Sequence, residues 1–360
     1  MRWCRGSRLL VAAAVGWAGF VLAHLLLSGR WWLWSVVDAL PPLTFTAVPL
    51  LVMAALAAVL WRGLTVPRAA RWWVVVPSVA ALVAGLGLAG FTWGEARPAP
   101  GDAVRVFAWN TEYWSQHDDP DAFHAFLRQQ DADVYLLQEY VHHTDGEPDV
   151  VKAHSPVDDT ERLRREFPGY TIVARGELLT LTRFPVVARP LVGPDRPGLP
   201  WPLEFRDAKV LRTDLDVRGS VMSFYNVHIP VQYNFAGAFL AHMADAAGER
   251  RAHFAALLAD VRANTRPVVV AGDFNTSPSM GELDAVRAVV RDAATAGSEV
   301  YPTSWHVGPF GWRLDWAFTS PSVPVHRYGF TDPRGLSDHR PQELLLSPPP
   351  AATHPPRAVR

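Results

Sequence analysis

The segment VVVAGDFNTSP, residues 268–278, joins an apolar run to two polar side chains, Asp273 and Asn275, that could do chemistry. A β-branched run of this kind is typical of a strand that is buried on both faces. Because residues two apart on an extended chain point the same way, both side chains should face the space beyond the strand's carboxyl end. Asp, Asn, Ser and Pro also favour turns, and this stretch taken alone favours an ordinary turn.

Other polar side chains stand in the same relation to apolar segments elsewhere in the chain. They end such segments or directly precede them, and they are Asn110, Glu139, His228, Asp315, Asp338 and His339. Any one of them is typical of a capped turn, but the whole set contains only carboxylates, amides and imidazoles. Oxygen ligands suit Mg²⁺ or Mn²⁺. Imidazoles can neutralise a phosphoryl oxygen and an aspartate can hold an attacking water, so the set predicts a metal-dependent phosphoester hydrolase.

The elements that must position these side chains alternate between apolar strands and amphipathic helices. One helix is predicted after a cap at Asp119 or Asp121, and another at about residues 283–291. Hairpin-like pairs of strands lie between them, which favours a layered α/β sandwich with two mixed sheets over a doubly wound sheet. The sequence shows no glycine-rich phosphate fingerprint, serine nucleophile elbow or zinc-binding spacing. Three histidines are expected in an exposed polar loop: His142, His143 and His154.

Three apolar stretches near the N-terminus are long enough to span a bilayer, which takes about 20 residues. They cover residues 9–28, roughly 43–61 and roughly 72–91. A signal peptide could resemble the first stretch, but two more follow and no clear small-residue cleavage site ends it. His24 and Pro77 lie inside these stretches, and helix packing is the interpretation that we favour for both.

Basic residues are distributed unevenly around the three spans. Those before the first span and between the second and third are Arg2, Arg5, Arg8, Arg62, Arg68 and Arg71. By the positive-inside rule these segments are cytoplasmic, and three crossings then place everything after residue 93 outside the cell. The single cysteine, Cys4, leaves the outer domain without a thiol to oxidise or pair, which is compatible with an oxidising exterior.

Four parts are expected: transmembrane helices at 1–94, a Pro/Gly linker at 95–103, a catalytic domain at 104–346 and a disordered Pro-rich tail at 347–360. Residues 1–103 carry eight arginines and three acids, a net charge of +5. This leaves −6 for the remaining residues of a chain whose formal net charge is −1. An acidic outer domain does not support a basic nucleic-acid groove.

In order along the chain, the polar positions read N…QE…N-x-H…GDFN…LD…SDH. This series resembles that of the endonuclease/exonuclease/phosphatase superfamily, which has the DNase I-like fold, and the resemblance covers about residues 104–346. It implies a four-layer α/β sandwich with the site at one end of the two sheets. It also implies that Asp273 and Asn275 are a paired catalytic acid and amide rather than turn formers.

The resemblance assigns the metal ligands first. It implies that Glu139 is the main metal-binding carboxylate, with Asn110 beside the metal and the scissile phosphate, and that Asp338 is a further ligand. Glu112 matches a position where some members have a second metal-binding acid, although a surface carboxylate is about as typical. Glu177 stands near a position that orients the histidine of N-x-H in DNase-like members, but we favour a charge at the edge of a strand.

The resemblance also assigns the catalytic groups. It implies that Asp273 orients or deprotonates the attacking water and that Asn275 donates to the phosphoryl group. His228 and His339 would stabilise the charge that develops on the phosphate oxygens. Asp315 would hydrogen-bond His339, which fixes its tautomer and favours its charged form.

We therefore expect a membrane-anchored, extracellular-facing phosphoesterase that uses Mg²⁺ or Mn²⁺ and acts on a phosphorylated small molecule, lipid or other envelope phosphate. Its layout resembles that of membrane-anchored relatives associated with glycopeptide resistance. One alternative is a surface-tethered nuclease acting on extracellular DNA, although the acidic outer domain opposes strong non-specific binding. Another is a non-catalytic phosphate-binding module, which ranks last because every core position holds a competent residue.

Overall fold

Three long helices dominate the N-terminal part of the chain. The long helices are α1 (Arg5–Leu27), α3 (Thr44–Trp61) and α4 (Arg68–Leu88). The structure, a computed structural model, describes residues 4–147, 149–233 and 239–349. Between α1 and α3 lie a short 3₁₀ helix (Trp32–Trp34) and α2 (Ser35–Asp38). The three long helices are apolar enough to cross a membrane. The three predicted helices are therefore present, with ends displaced by up to four residues.

The chain forms two compact units. The first contains residues 1–91, 276–283 and 307–313, and the second contains residues 92–275, 284–306 and 314–360. Within the first unit, small residues let the helices approach closely, as is usual for helices in membranes. A Cβ atom at Gly85 of α4 would lie only 2.3 Å from the carbonyl oxygen of Phe45 in α3.

The second unit is built on two six-stranded sheets. The first sheet has the order β15-β16-β1-β2-β6-β5 and the second has the order β11-β14-β10-β9-β8-β7. The strands of the first sheet are β1 (Val104–Asn110), β2 (Val134–Gln138), β5 (Thr171–Arg175), β6 (Leu178–Thr182), β15 (Val325–Phe330) and β16 (Gln342–Leu346). Those of the second are β7 (Val186–Ala188), β8 (Val210–Val217), β9 (Ser220–His228), β10 (Val268–Asp273), β11 (Arg291–Asp292) and β14 (Asp315–Thr319).

The chain also contains two short hairpins and several shorter helices. Two hairpins pair β3 (Val141–His143) with β4 (His154–Pro156), and β12 (Trp305–Val307) with β13 (Phe310–Trp312). The helices are α5 (Pro120–Gln130), α6 (Val150–Ala153), α7 (Thr160–Glu166), α8 (Trp201–Asp207), α9 (Phe239–Ala263), α10 (Glu282–Arg287) and a 3₁₀ helix at Ala293–Ala296. The predicted cap of α5 is Asp119, whose side chain accepts from the Asp121 N–H.

Alternation along the strands separates two apolar cores. Val106 and Ala108 of β1 point into the core between the sheets, where they join Phe224 of β9 and Ala271 of β10. The intervening Phe107 and Trp109 join a second core with α5 and α7 on the outer face of the first sheet. Helix α9 adjoins the second sheet, since its Asp260 accepts from Tyr225 of β9. The fold is thus the mixed α/β, DNase I-like sandwich that was predicted.

Two local predictions differ from the structure. The helix predicted at residues 283–291 is the shorter α10, and the chain then forms β11, because Arg291 and Asp292 pair with the edge of β14. His143 and His154 pair across the β3–β4 hairpin and are half-buried, because their rings contact each other. Of the three histidines expected to be exposed, His142 alone is. The tail predicted to be disordered covers residues 347–360, and its part from residue 350 onward lies outside the described residues.

Gly272 is required where β10 approaches β9. It has φ of +145°, and a Cβ atom there would lie 2.0 Å from the carbonyl oxygen of Val227. We predict that Gly272→Ala lowers the melting temperature, because the backbone conformation alone costs about 1–3 kcal/mol for a residue with a side chain. Gly329→Ala in β15 is the control, since its Cβ would meet nothing within 4 Å. Equal melting temperatures for the two variants would contradict the prediction.

Candidate active site

The registers of three adjacent strands place the central groups of the site side by side. Strand β10 runs parallel to β9 with Asp273 opposite His228, and antiparallel to β14 with Asp273 opposite Asp315. All three side chains are buried. The buried apolar run of β10 therefore ends in a carboxylate between two titratable neighbours, which explains the change of character within VVVAGDFN.

Asn110 joins the two sheets at this end. It closes β1, and its Nδ2 donates to Glu139 Oε1 at 2.9 Å and to Asp273 Oδ2 at 3.0 Å. Its Oδ1 accepts from the N–H of Glu112 at 3.1 Å, while Glu139 Oε2 accepts from the N–H of Tyr113 at 3.1 Å. One amide thus links the predicted metal-binding carboxylate to the predicted catalytic aspartate.

A left-handed stretch of backbone follows Asn110. Residues 112–115 all have φ between +45° and +64°, although none of them is glycine. Such backbone is strained and persists where its surroundings hold it. Here the Trp114 indole donates to Asp159, and Gln116 donates to the His143 carbonyl at 2.7 Å and accepts from its N–H. This left-handed conformation turns the chain sharply, so that the Tyr113 N–H donates to Glu139.

Asp273 and Asn275 meet through a turn, not through strand periodicity. Asn275 has φ of +45°, and its N–H donates to Asp273 Oδ1 at 2.7 Å. Its Nδ2 donates to the Ile229 carbonyl at 3.0 Å and lies 3.4 Å from His228 Nε2. The predicted proximity is present, but the extended-chain reason for it was wrong because the strand ends at Asp273.

His339 has the predicted carboxylate partner. Its Nδ1 lies 2.7 Å from Asp315 Oδ2, so its Nε2 faces Asp273 Oδ2 at 3.8 Å. Although burial alone would lower the pKa of His339, Asp315 and then Asp273 raise it well above its ordinary value. The Trp109 indole donates to the His339 carbonyl at 3.0 Å and fixes the backbone beneath the ring. The two carboxylates thus favour the charged form of His339 beside Asp273.

His228 is paired in a similar way on the other side of Asp273. Its Nδ1 lies 3.1 Å from Glu177 Oε1, an ion pair without ideal hydrogen-bond alignment, and its Nε2 lies 3.7 Å from Asp273 Oδ2. Burial opposes the charge, but Glu177, then Asp273 and Glu139, raise the pKa of His228 to about 9.

Glu177 is buried rather than a charge at the edge of a strand, so the interpretation favoured from the sequence was wrong. Lys209 forms a buried ion pair with it and also lies over the ring of Phe205. Although burial opposes the charge, His228 and Lys209 hold the pKa of Glu177 well below its ordinary value. Sequence reasoning did not identify Lys209. In the sequence Lys209 stands out only because it is one of two lysines and lies at the start of a predicted strand.

Two further predicted metal ligands lie beside each other. Glu112 Oε2 accepts from the N–H of Asp338 at 2.8 Å, and Asp338 Oδ2 accepts from the Trp305 indole at 2.7 Å. Asp338 Oδ1 lies 3.9 Å from His339 Nε2. Unlike the buried Asp273, the Asp338 side chain is about half exposed. Every site residue predicted from the sequence therefore belongs to one connected network.

The donor chemistry of this network fits a divalent cation. Burial raises the pKa of Glu139, and burial together with Asp338 raises that of Glu112. A cation bound by these oxygen donors would stabilise their charged forms, and oxygen donors are those that Mg²⁺ or Mn²⁺ prefers. A second group, Asp273, Asp315 and His339, also offers ligand atoms that all lie within 4.8 Å of one another.

A family model and several solved structures are similar to this chain. Residues 107–339 match the model of the endonuclease/exonuclease/phosphatase family. Among solved structures, a humanised TDP2 of D. rerio with 14 mutations aligns with a TM-score of 0.50 and 15% identity, over 69% of this chain and 100% of that one. No curated protein matches the chain.

Two other solved structures align at lower TM-scores. A mannosyl-6-phosphatase of Bacteroides thetaiotaomicron has 17% identity and a TM-score of 0.42, over 68% of this chain and 99% of that one. An AP endonuclease of Archaeoglobus fulgidus has 14% identity and a TM-score of 0.47, over 67% and 98%.

The fold and the network of carboxylates, amides and imidazoles define a phosphoesterase or nuclease type of domain. The chain belongs to the endonuclease/exonuclease/phosphatase family. Members of this family hydrolyse phosphate esters and generally depend on a divalent metal.

We predict that Asp273→Asn lowers kcat by about 10²–10⁴-fold, the usual contribution of a positioned general base. The two side chains have nearly the same shape, so the packing should change little, but loss of the buried charge between His228 and His339 should lower the melting temperature, and the rate is therefore compared per folded molecule. The measurement is a single-turnover rate beside a melting curve. A stable variant that reacts at the normal rate would show that Asp273 is not catalytic.

Asn275→Gly tests the neighbouring amide. Glycine tolerates the left-handed backbone at this position, so the substitution removes the side chain without adding strain. Loss of one donor to developing charge should lower kcat by about 10²–10³-fold. If Asn275 were only a turn former, Asn275→Gly would keep the wild-type kcat.

Proposed function

We propose that this protein is a membrane-anchored, metal-dependent phosphoesterase that hydrolyses a phosphate ester of a lipid or other envelope molecule outside the cell. The observation that carries the proposal is the buried Asp273 carboxylate, which lies between His228 and His339 and within hydrogen-bonding distance of Asn110. Such an arrangement offers an acceptor for the proton of water and donors for phosphate oxygens within the same few ångströms.

The proposed roles follow from the partner of each group. Asp273 holds the attacking water and accepts its proton. His228 and His339 each present Nε2 on the Asp273 side, since Nδ1 faces Glu177 in the first and Asp315 in the second. These cationic rings stabilise the phosphate oxygens as negative charge develops, and the amide of Asn275 donates beside them.

Glu139, Asn110, Glu112 and Asp338 would hold the metal, which when bound polarises a phosphoryl oxygen as a Lewis acid. We favour this side of the site over the group formed by Asp273, Asp315 and His339. In that group, Nδ1 of His339 is already engaged with Asp315. Glu139, by contrast, is a half-buried carboxylate whose pKa stays raised by desolvation despite the nearby His228 and His339.

Two properties of the chain support a lipid or envelope phosphate as the substrate. Three helices apolar enough to cross a membrane belong to the same chain, and a tether confines the enzyme to substrates at a membrane surface. The net charge of −6 over residues 104–360 disfavours the phosphate contacts that dominate DNA binding. A role in glycopeptide resistance would follow if the substrate is an envelope precursor.

The substrate class is tested with the full chain in nanodiscs, using prenyl phosphates, phospholipids, sugar phosphates, nucleotides and duplex DNA. We expect the highest kcat/KM with a lipid phosphate, and Asp273→Asn as the control for contaminating activity. Efficient cleavage of DNA, with tight binding at physiological salt that weakens steeply as salt rises, would instead identify a nuclease.

Removal of the metal gives an independent prediction. Exhaustive chelation should abolish turnover, and Mg²⁺ or Mn²⁺ should restore it, because the ligand set contains oxygens and no thiolate. The melting curve of the chelated protein distinguishes loss of metal from loss of fold. Full activity after chelation would contradict a metal-dependent mechanism.

Membrane orientation is tested with a reporter enzyme that is active only in the cytoplasm. Fused to the C-terminus, it should remain inactive, because the arginines at the start of α1, directly after α3 and at the start of α4 indicate a cytoplasmic side. The same reporter at the N-terminus is the positive control. Strong activity of the C-terminal fusion would reverse the proposed orientation.

A further inference from the structure

A buried polar cluster lies at the end of the first long helix. His24 is in the last turn of α1, Ser28 directly follows the helix, and Asp38 ends α2; all three are buried. A buried polar or ionisable group in an apolar helix is costly and needs partners. His24 packs against Phe45 of α3, as the helix packing favoured from the sequence implies, but this packing does not explain the hydrogen bonds of the cluster.

The cluster binds the main chain of residues 276–283, which belong to the same compact unit. The Trp34 indole donates to His24 Nδ1 at 3.0 Å, so the ring proton is on Nε2, which donates to the Ser279 carbonyl at 2.8 Å. Ser28 Oγ donates to Asp38 Oδ1 at 2.7 Å and accepts from the Gly281 N–H at 2.9 Å. Two side chains thus each hold one backbone group of this segment.

Nearby glycines show how closely residues 276–283 approach the ends of α1 and α4. A Cβ atom at Gly281 would lie 2.4 Å from the Ser28 carbonyl oxygen, and one at Gly29 would lie 2.7 Å from the Glu282 nitrogen. A Cβ atom at Gly90 would lie 2.4 Å from the side chain of Pro278. The segment therefore contacts the ends of both α1 and α4 through backbone that has no room for a side chain.

Residues 276–283 also directly follow Asn275, whose amide belongs to the candidate active site. The segment contains a tight turn, in which the Met280 N–H donates to the Ser277 carbonyl at 3.0 Å, and its last two residues begin α10. The Ser277 N–H in turn contacts Met280 Sδ at 3.2 Å. These contacts hold residues 277–280 in a turn that begins two residues after Asn275, so the position of the turn bears on the chain that leaves Asn275.

We propose that His24 and Ser28 are positioning residues for the phosphoester hydrolysis inferred above, on which this inference rests. By holding the Ser279 carbonyl and the Gly281 N–H, they fix the segment that begins after Asn275 and so fix the amide of Asn275. The helical unit then contributes to turnover itself, in addition to anchoring the chain.

Ser28→Ala and Ser78→Ala form a matched pair for the test. Both serines are buried in the first unit, but among the described residues Ser78 Oγ has no hydrogen-bond partner. In the full chain in nanodiscs, Ser28→Ala should lower kcat by about 10–100-fold with little change in KM, as misplacement of a catalytic group does. Ser78→Ala should keep the wild-type kcat.

His24→Gln and His24→Asn form a second pair. The glutamine amide reaches the place of Nε2 and can still donate to the Ser279 carbonyl, whereas the asparagine amide reaches only the place of Nδ1. We expect Gln to retain most of the turnover and Asn to lose it, although both remove the imidazole from the helix packing. Equal kcat values in each pair would overturn the proposal.

Hydrogen exchange separates this proposal from the proposed function. The Gly281 amide should exchange faster in Ser28→Ala than in Ser78→Ala or in the wild type, whatever the substrate is. If the wild type hydrolyses no phosphate ester, the proposed function fails and the catalytic part of this proposal fails with it. If the wild type is active and Gly281 exchanges equally in the two serine variants, this proposal alone fails.

Discussion

The buried charge of Asp273 is the constraint on which the end of the two sheets depends. A carboxylate that leaves water must recover its hydrogen bonds and its counter-charge from the protein. Asp273 obtains them from four directions: the Asn110 amide, the Asn275 N–H, and the Nε2 atoms of His228 and His339. Because burial still raises the pKa of Asp273, these partners leave the carboxylate more basic than an exposed one. A more basic carboxylate is better suited to accept a proton from water.

Each imidazole that faces Asp273 is also paired with a second carboxylate, so the network of charges extends beyond Asp273. His339 is balanced by Asp315, and His228 by Glu177, which is in turn balanced by Lys209. Buried ion pairs contribute little net stability, since desolvation offsets their attraction, but loss of one partner leaves an unpaired charge. The alternation of charges is therefore better explained by the need to keep both imidazoles cationic than by stability.

The sequence predicted those parts of the site that depend on single strands. An apolar run that stops at a polar residue predicted the sheet edge at Asn110, Glu139, His228 and Asp273, and the structure brings these residues together. Glu177 and Lys209 could not be predicted in this way, because their pairing depends on the approach of β6 to β8, which no local pattern encodes. The left-handed turn after Asn110 was equally unpredictable, since its strain is maintained by distant partners.

The connectivity of the chain explains why the helical unit and the catalytic chemistry need not be independent. Residues 276–283 follow Asn275, and residues 307–313 precede Leu314 and Asp315, and both segments group with the long helices. The strands that carry Asp273 and Asp315 are paired, with the Phe274 N–H donating to the Leu314 carbonyl at 3.0 Å. The chain thus leaves these two strands near paired positions, and the segments that follow β10 and precede β14 belong to the unit of the long helices. A single connection would suffice to join the helices to the rest of the chain, so the two returning segments are the feature that joining alone does not explain.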